Sequence, residues 1–168
     1  MFREMRRKKQ QLSEKDSKEI LLRRTFGVLA VLGDEGYPYT VPLSYVYDEG
    51  AGKIYFHCAK SGHKLDALRR EEKVSFCVVD QDQIVPERFT TYFRSVVVFG
   101  RVQVIEDGPE RLEAVKKLAL RYAPRQSPES LQKEIDTASQ FVILSLAIEH
   151  MTGKEAIELV RARENGVK

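Results

Sequence analysis

The sequence predicts a mainly β protein: six strands, mostly antiparallel, closing into a small barrel with helices at its periphery. Three observations carry that class. Short apolar runs recur along the chain, bounded by turn signals such as Gly33-Asp34-Glu35-Gly36 and Asp48-Glu49-Gly50-Ala51-Gly52. The first three runs follow one another without a helix between them, as in an antiparallel meander and unlike the strand–helix–strand rhythm of a parallel sheet. One strong amphipathic helix, opening at Pro109, precedes the last strand, and barrel closure would remove the edges of strands this apolar.

Taken in order, Ser13 followed by Asp16 reads as a helix N-cap with an acidic first turn, and Ile20, Leu21 and Leu22 give a helix from about Glu14 to Arg23 its apolar face. Phe26 to Leu32 is a nearly continuous apolar strand. Tyr37 to Tyr47 is the second strand, where Pro38 and Pro42 remove two backbone donors and mark an edge or an irregular segment that a ligand can approach. In the third, Ile54, Phe56 and Cys58 alternate with Tyr55 and His57, the period of a half-buried strand. A short helix, Lys64 to Arg70, leads to a fourth strand at Val74 to Val79 and a polar loop from Asp80 to Arg88. Phe89 to Ile105 holds the longest strand signal, with Val96, Val98, Val102 and Val104 on one face, Val97, Phe99 and Ile105 on the other, and Gly100 marking a bulge. Leu112, Val115, Leu118, Ala119 and Tyr122 form the stripe of the helix opened by Pro109; a weaker helix follows near Glu129 to Ala138. Gln140 to Glu149 is the sixth strand, and Thr152-Gly153-Lys154 ends it. The chain thus divides into a basic arm and helix over 1–24, one domain over 25–155 and a polar tail over 156–168.

A length of 168 residues suits one domain with a real core, and 42% hydrophobic with 32% charged residues describes a soluble globular protein. The net charge of +3 is local in origin. Residues 1–24 hold nine basic and four acidic side chains, leaving 19 basic and 21 acidic residues in the remainder. Without a groove-reading motif, that arm reads as a solvated tail and not as a nucleic-acid footprint. No apolar run reaches membrane-spanning length, and the N-terminus lacks the apolar core of a signal peptide. Cys58 and Cys77 stand far apart, outside any C-x-x-C pair, so reduced thiols and a cytoplasmic location are expected.

The chemistry concentrates in Ile54-Tyr-Phe-His-Cys-Ala-Lys-Ser-Gly-His-Lys-Leu65, a strand, a tight loop and a helix start. Orphan amides, the positive end of a helix, the Ser61 hydroxyl, the His63 imidazole and the ammonium groups of Lys60 and Lys64 meet there, which is what a phosphate ester needs. An ordinary strand-to-helix turn with solvated lysines fits the same spacing, because the glycine framework of a P-loop or Rossmann turn is absent.

Further segments carry a resemblance. Gly36-Tyr-Pro-Tyr-Thr-Val-Pro-Leu-Ser-Tyr-Val-Tyr47, Ile54 to Ala59 with Gly62-His-Lys-Leu65, Lys73 to Val79, Phe89-Thr-Thr91, Ser95 to Gly100 and Ile148 to Lys154 stand in the order found in the 5-nitroimidazole resistance family of flavoproteins, and the likeness covers roughly residues 20–155. That family is similar to pyridoxamine 5′-phosphate oxidase. The resemblance implies a split β-barrel that dimerises and binds flavin mononucleotide (FMN) at the dimer interface. By it, Ser61, His63 and Lys64 hold the phosphate, Thr40, Val41, Pro42, Leu43 and Ser44 lie along the isoalloxazine, and Phe56, His57 and Cys58 line the cleft. Arg94 and Ser95 reach the flavin from the partner subunit, and His150 and Thr152 finish the cleft. The oxidase carries an Arg-Lys pair at the phosphate where this chain has His63 and Lys64, and its C-terminal substrate-binding pattern is not evident here, which argues against pyridoxamine phosphate as substrate.

Each residue also has a plainer role. His57 on a strand is ordinarily a hydrogen-bonded structural histidine; within a flavin cleft it becomes a proton donor, the one catalytic candidate. His57, Cys58 and His63 lack a fourth ligand at a metal-site spacing. Cys58 reads as an inert core thiol, and the tyrosines of the second strand as packing residues. The expected function is an FMN-dependent reductase of small electrophiles such as nitroimidazoles. It would use a nicotinamide donor (NADH or NADPH) bound transiently, since no Rossmann fingerprint is present. The alternative is a flavin- or haem-binding module without turnover.

Overall fold

The computed structural model describes residues 1–166; Val167 and Lys168, the end of the expected tail, lie outside the described residues, as do the side chains of Leu131, Glu134 and Ser139. Helix α1 spans Glu14–Arg23, with the Ser13 hydroxyl accepting the Asp16 N–H at 3.0 Å, and buries Ile20 and Leu21. The strands are β1 (Phe26–Leu32), β2 (Pro38–Ser44), β3 (Val46–Asp48), β4 (Lys53–Ala59), β5 (Lys73–Val85), β6 (Thr90–Ile105) and β7 (Phe141–Glu155). Helix α2 (His63–Arg70) follows β4, α3 (Pro109–Tyr122) and α4 (Pro128–Thr137) separate β6 from β7, and α5 (Ile157–Glu164) follows β7. Every strand pairing is antiparallel, in the order β2-β1-β5-β6-β7-β4-β3. Among the described residues no helix is long and apolar enough to cross a membrane.

Three expectations need correction. The sheet has seven strands, not six, and its ladder does not close, because the expected second strand breaks at Tyr45. The Tyr45 ring is fully buried, edge-on to Phe76 at 5.1 Å, and its hydroxyl donates to the Leu21 carbonyl at 2.9 Å. Its N–H is shared between the Tyr122 hydroxyl at 2.8 Å and the Thr25 carbonyl at 3.1 Å, outside any strand ladder. The halves on either side of it pair with different partners, so β2 and β3 are opposite edges of the sheet joined by one residue. For the same reason β2 and β4 are not neighbours, and the expected three-strand meander is two hairpins. The sheet is therefore open, with β2 and β3 as its two edges and the chain itself joining their ends at Tyr45.

Strand β5 also continues through the expected polar loop to Val85, with a register shift between Val79 and Gln81, and β7 runs on through Thr152-Gly153-Lys154 to Glu155. Both extensions are ladders with β6, held by backbone pairing where the side chains give no alternating signal.

Phe56, Phe76, Leu29, Ile54, Val96, Val98, Leu144 and Leu146 form the main core. A second cluster under α3 joins Tyr55, Ala114, Val115, Leu118 and Ile143. Glu110 ties α3 down by accepting from Lys53 (2.6 Å), Tyr55 (3.1 Å) and Ser145 (3.1 Å). Burial, then the Glu110 carboxylate, pushes the Tyr55 phenol up to about 12.

Gly100 sits where β6 shifts register against β7, and a Cβ there would meet the Ala147 carbonyl oxygen at 2.0 Å and Leu146 Cδ1 at 2.9 Å. Backbone cannot yield as a side-chain end can. Gly100→Ala is expected to lose about 2 kcal/mol, and thermal melting should show Tm lower by roughly 4–8 °C.

Candidate functional site

The alternation of β2 presents Thr40, Pro42 and Ser44 to solvent and turns Val41 and Leu43 partly inward, Leu43 against the core. From Thr40 to Ser44 the strip spans roughly 13 Å at the usual strand rise. At its start the Tyr39 ring stacks on His63, 4.2 Å between centroids and 20° between planes. His63 Nε2 lies 3.3 Å from an Asp34 carboxylate oxygen, and Asp34 also takes Arg70 at 2.6 Å. The turn after β1, the start of β2 and the start of α2 are thereby one assembly. Neither Tyr39 nor Asp34 belongs to the motif that points to phosphate, and no sequence pattern links residues 34 and 63; only the fold brings them together.

Gly62 precedes α2 with φ of 127°, a conformation open to glycine, and offers no side-chain cap. The Leu65 and Asp66 amides donate to the Gly62 carbonyl at 2.9 and 3.1 Å, and those of His63 and Lys64 are left for water or a ligand. Ser61 is exposed, and Lys64 is partly buried with no ion pair among the described residues. With His63 held by Asp34 and Tyr39, Lys60 and Lys64 are the cations of the site that have no ion pair among the described residues. On β4 the outward residue is His57, whose ring meets Phe141 edge-on at 5.7 Å. Phe56 is a correction: its ring is fully buried against Phe76 at 5.0 Å, so it forms core and lines no cleft. Cys58 is nearly buried, its Sγ 3.3 Å from the Ala59 carbonyl, and burial pushes its thiol up against the opposing charges of Lys64 and Arg69. It is no thiolate nucleophile.

The sequence profile described as pyridoxamine 5′-phosphate oxidase matches residues 13–155. The chain belongs to the pyridoxamine 5′-phosphate oxidase family. It is 32% identical over 104 residues, 60% of this chain and 70% of the relative, to a 5a,11a-dehydrotetracycline/5a,11a-dehydrooxytetracycline reductase from Streptomyces rimosus. Its fold is similar to that of a candidate 5-nitroimidazole antibiotic resistance protein from Bacteroides thetaiotaomicron, with a TM-score of 0.72, 22% identity and 86% of each chain covered. A FAD-binding protein from Mesorhizobium loti superposes with a TM-score of 0.60 at 25% identity, over 87% of this chain and 96% of that one.

Within this oxidase family member, the remaining expected residues lie apart from β2 and α2. Arg94 donates to Glu155 at 3.0 Å and lies 3.8 Å from Asp80, so its guanidinium is already held by carboxylates of its own chain. Ser95 pairs with Lys154 and Thr152 with Val97 on the β6–β7 ladder. His150 stacks on Phe2 of the N-terminal arm, 4.6 Å apart and 6° from parallel.

A flavin mononucleotide asks for cation and amides at its phosphate, then a flat strip of exposed strand for its ring. Lys64 with the open turn of α2 lies beside the start of β2 through the Tyr39–His63 stack, and β2, an edge strand, supplies the strip in Thr40, Pro42 and Ser44 on its exposed face. The residues present fit the group.

Proposed function

We propose that this family member binds FMN along β2 and acts as a reductase of small electrophiles, nitroimidazoles and other nitroaromatics among them, drawing electrons from a nicotinamide donor. The observation that carries the reading is the junction at Tyr39–His63, which sets an unpaired cation and the uncapped start of α2 against the beginning of edge strand β2. Membership of the oxidase family and a relative named as a reductase support it. Bound flavin would supply hydride acceptance and donation; the chain supplies binding, orientation and, at exposed His57, a proton donor. Ser95, His150 and Thr152 complete the cleft only if a second copy brings them to it, so the working unit of this reading is a homodimer in the cytoplasm. Arg94, held by Glu155, is left out of it.

The test uses purified protein reconstituted with FMN, with FAD in parallel because a structural relative is named for that nucleotide. After gel filtration, a flavin spectrum is expected that bleaches with anaerobic NADPH and returns when metronidazole is added. A retained flavin that no nicotinamide reduces would favour a binding module, and a haem Soret band in the protein as isolated would turn the reading to haem. Failure to retain either flavin would end the proposal.

A further inference from the structure

We propose that the cavity between α3, the segment leading into α4, and the outward faces of β4 and β7 binds the electron acceptor, and that this acceptor is a neutral, planar ring compound whose hydrogen-bonding groups face His57, Gln126 and Ser130. The inference rests on the reductase reading and adds the substrate class.

The cavity measures about 370 Å³, within the range of small-molecule sites. Val115, Leu118, Ala119 and Phe141 give it apolar walls, and His57, Gln126 and Ser130 are among its few polar contributors. No charged side chain lines it among the described residues. An anionic phosphate ester would therefore enter without a counter-charge, at a desolvation cost nothing there offsets. This separates the cavity from the cationic start of α2.

Its position follows from the chain. Tyr122, in the cavity wall, accepts the Tyr45 N–H at 2.8 Å and donates to the Thr25 carbonyl at 2.5 Å. Tyr45 directly follows Ser44, so the cavity adjoins the end of the β2 strip opposite His63 and Lys64. A flavin with its phosphate at Lys64 and its ring along Thr40–Ser44 would present that ring to the cavity.

The walls are preformed. Arg111 holds Phe141 from behind, donating to its carbonyl at 3.1 Å and to the Ala138 carbonyl, while Glu110 fastens the start of α3 to β4 and β7. His57 makes no hydrogen bond or ion pair among the described residues, so its imidazole is available to a polar group of the guest.

The test is titration of the full-length protein, free of flavin and then with FMN, with the neutral two-ring fluorophore prodan. Saturable binding with a blue-shifted emission is expected, at least tenfold weaker in Ala119→Phe, which fills the cavity, while FMN affinity stays within twofold. Gln126→Phe, at an exposed position that leaves the core intact, should weaken the probe likewise, and circular dichroism checks both folds. Equal probe binding by wild type and both variants would place the probe elsewhere and overturn the proposal. Displacement of prodan by FMN would overturn it too, by giving the cavity to the flavin ring. A protein that binds prodan here but no flavin would refute the reductase reading and leave the cavity in place.

Discussion

Replacing Asp80 with alanine is expected to cost about 3 kcal/mol of folding stability at neutral pH, and to cost less in acid. Asp80 lies at the register shift of β5, its carboxylate only 4% exposed. Arg23 and Arg24, at the end of α1, donate to it at 2.8 and 2.7 Å through their Nε atoms. Burial alone would raise the pKa; the two guanidinium groups outweigh it and hold the carboxyl below the usual range. A carboxylate held down in the folded state adds stability that is fully present above about pH 4 and is lost as pH falls through the depressed value. The alanine variant leaves the arginines unpaired, but at 43% and 47% exposure they can turn to water, which places the loss at the low end for a broken buried pair. Urea unfolding of both proteins at neutral pH and near pH 3 checks this. A stability gap of the same size at both pH values would show that Asp80 acts through packing and not through its charge.

That ion pair also shows why the fold was only partly legible in the sequence. Strand β1 and helix α1 lie at their expected bounds because the signals are local: an apolar run ended by Gly33, and Ser13 as cap. The break at Tyr45 depends on Tyr122 and Leu21, residues 77 and 24 positions away, and nothing between Tyr37 and Tyr47 announces it. The far half of β5 is polar and solvated, so its backbone ladder with β6 carries no side-chain pattern to read. Membership of a strand was thus easier to predict than its partners.

The candidate site divides in the same way. The loop Lys60-Ser61-Gly62 with Lys64 was legible because uncapped amides and cations are properties of a short segment. Placing Phe56 in the cleft failed because the neighbours that bury its ring, Phe76 above all, come from another strand. Arg94 looked available until β7 supplied Glu155. The cavity beside His57 had no signature, since its α3 wall reads as the core face of an amphipathic helix.

The decisive test of the phosphate end is Lys64→Ala, which should weaken FMN binding by about 10–100-fold, the loss expected for one charge-assisted contact. Riboflavin, which has the same ring and no phosphate, should bind wild type and variant alike. The pairing matters because Lys64 also sits near Cys58 and partly buried on α2, so a substitution could act by shifting the helix. A displaced helix would disturb the Tyr39–His63 stack and lower affinity for both flavins. Loss of the charge alone lowers only FMN affinity, and added salt should narrow the gap between wild type and variant because part of the attraction is screened. Lys64→Arg keeps the charge and should recover most of the affinity. Equal weakening of FMN and riboflavin would move the phosphate away from Lys64 and leave the lysine a structural role at the start of α2.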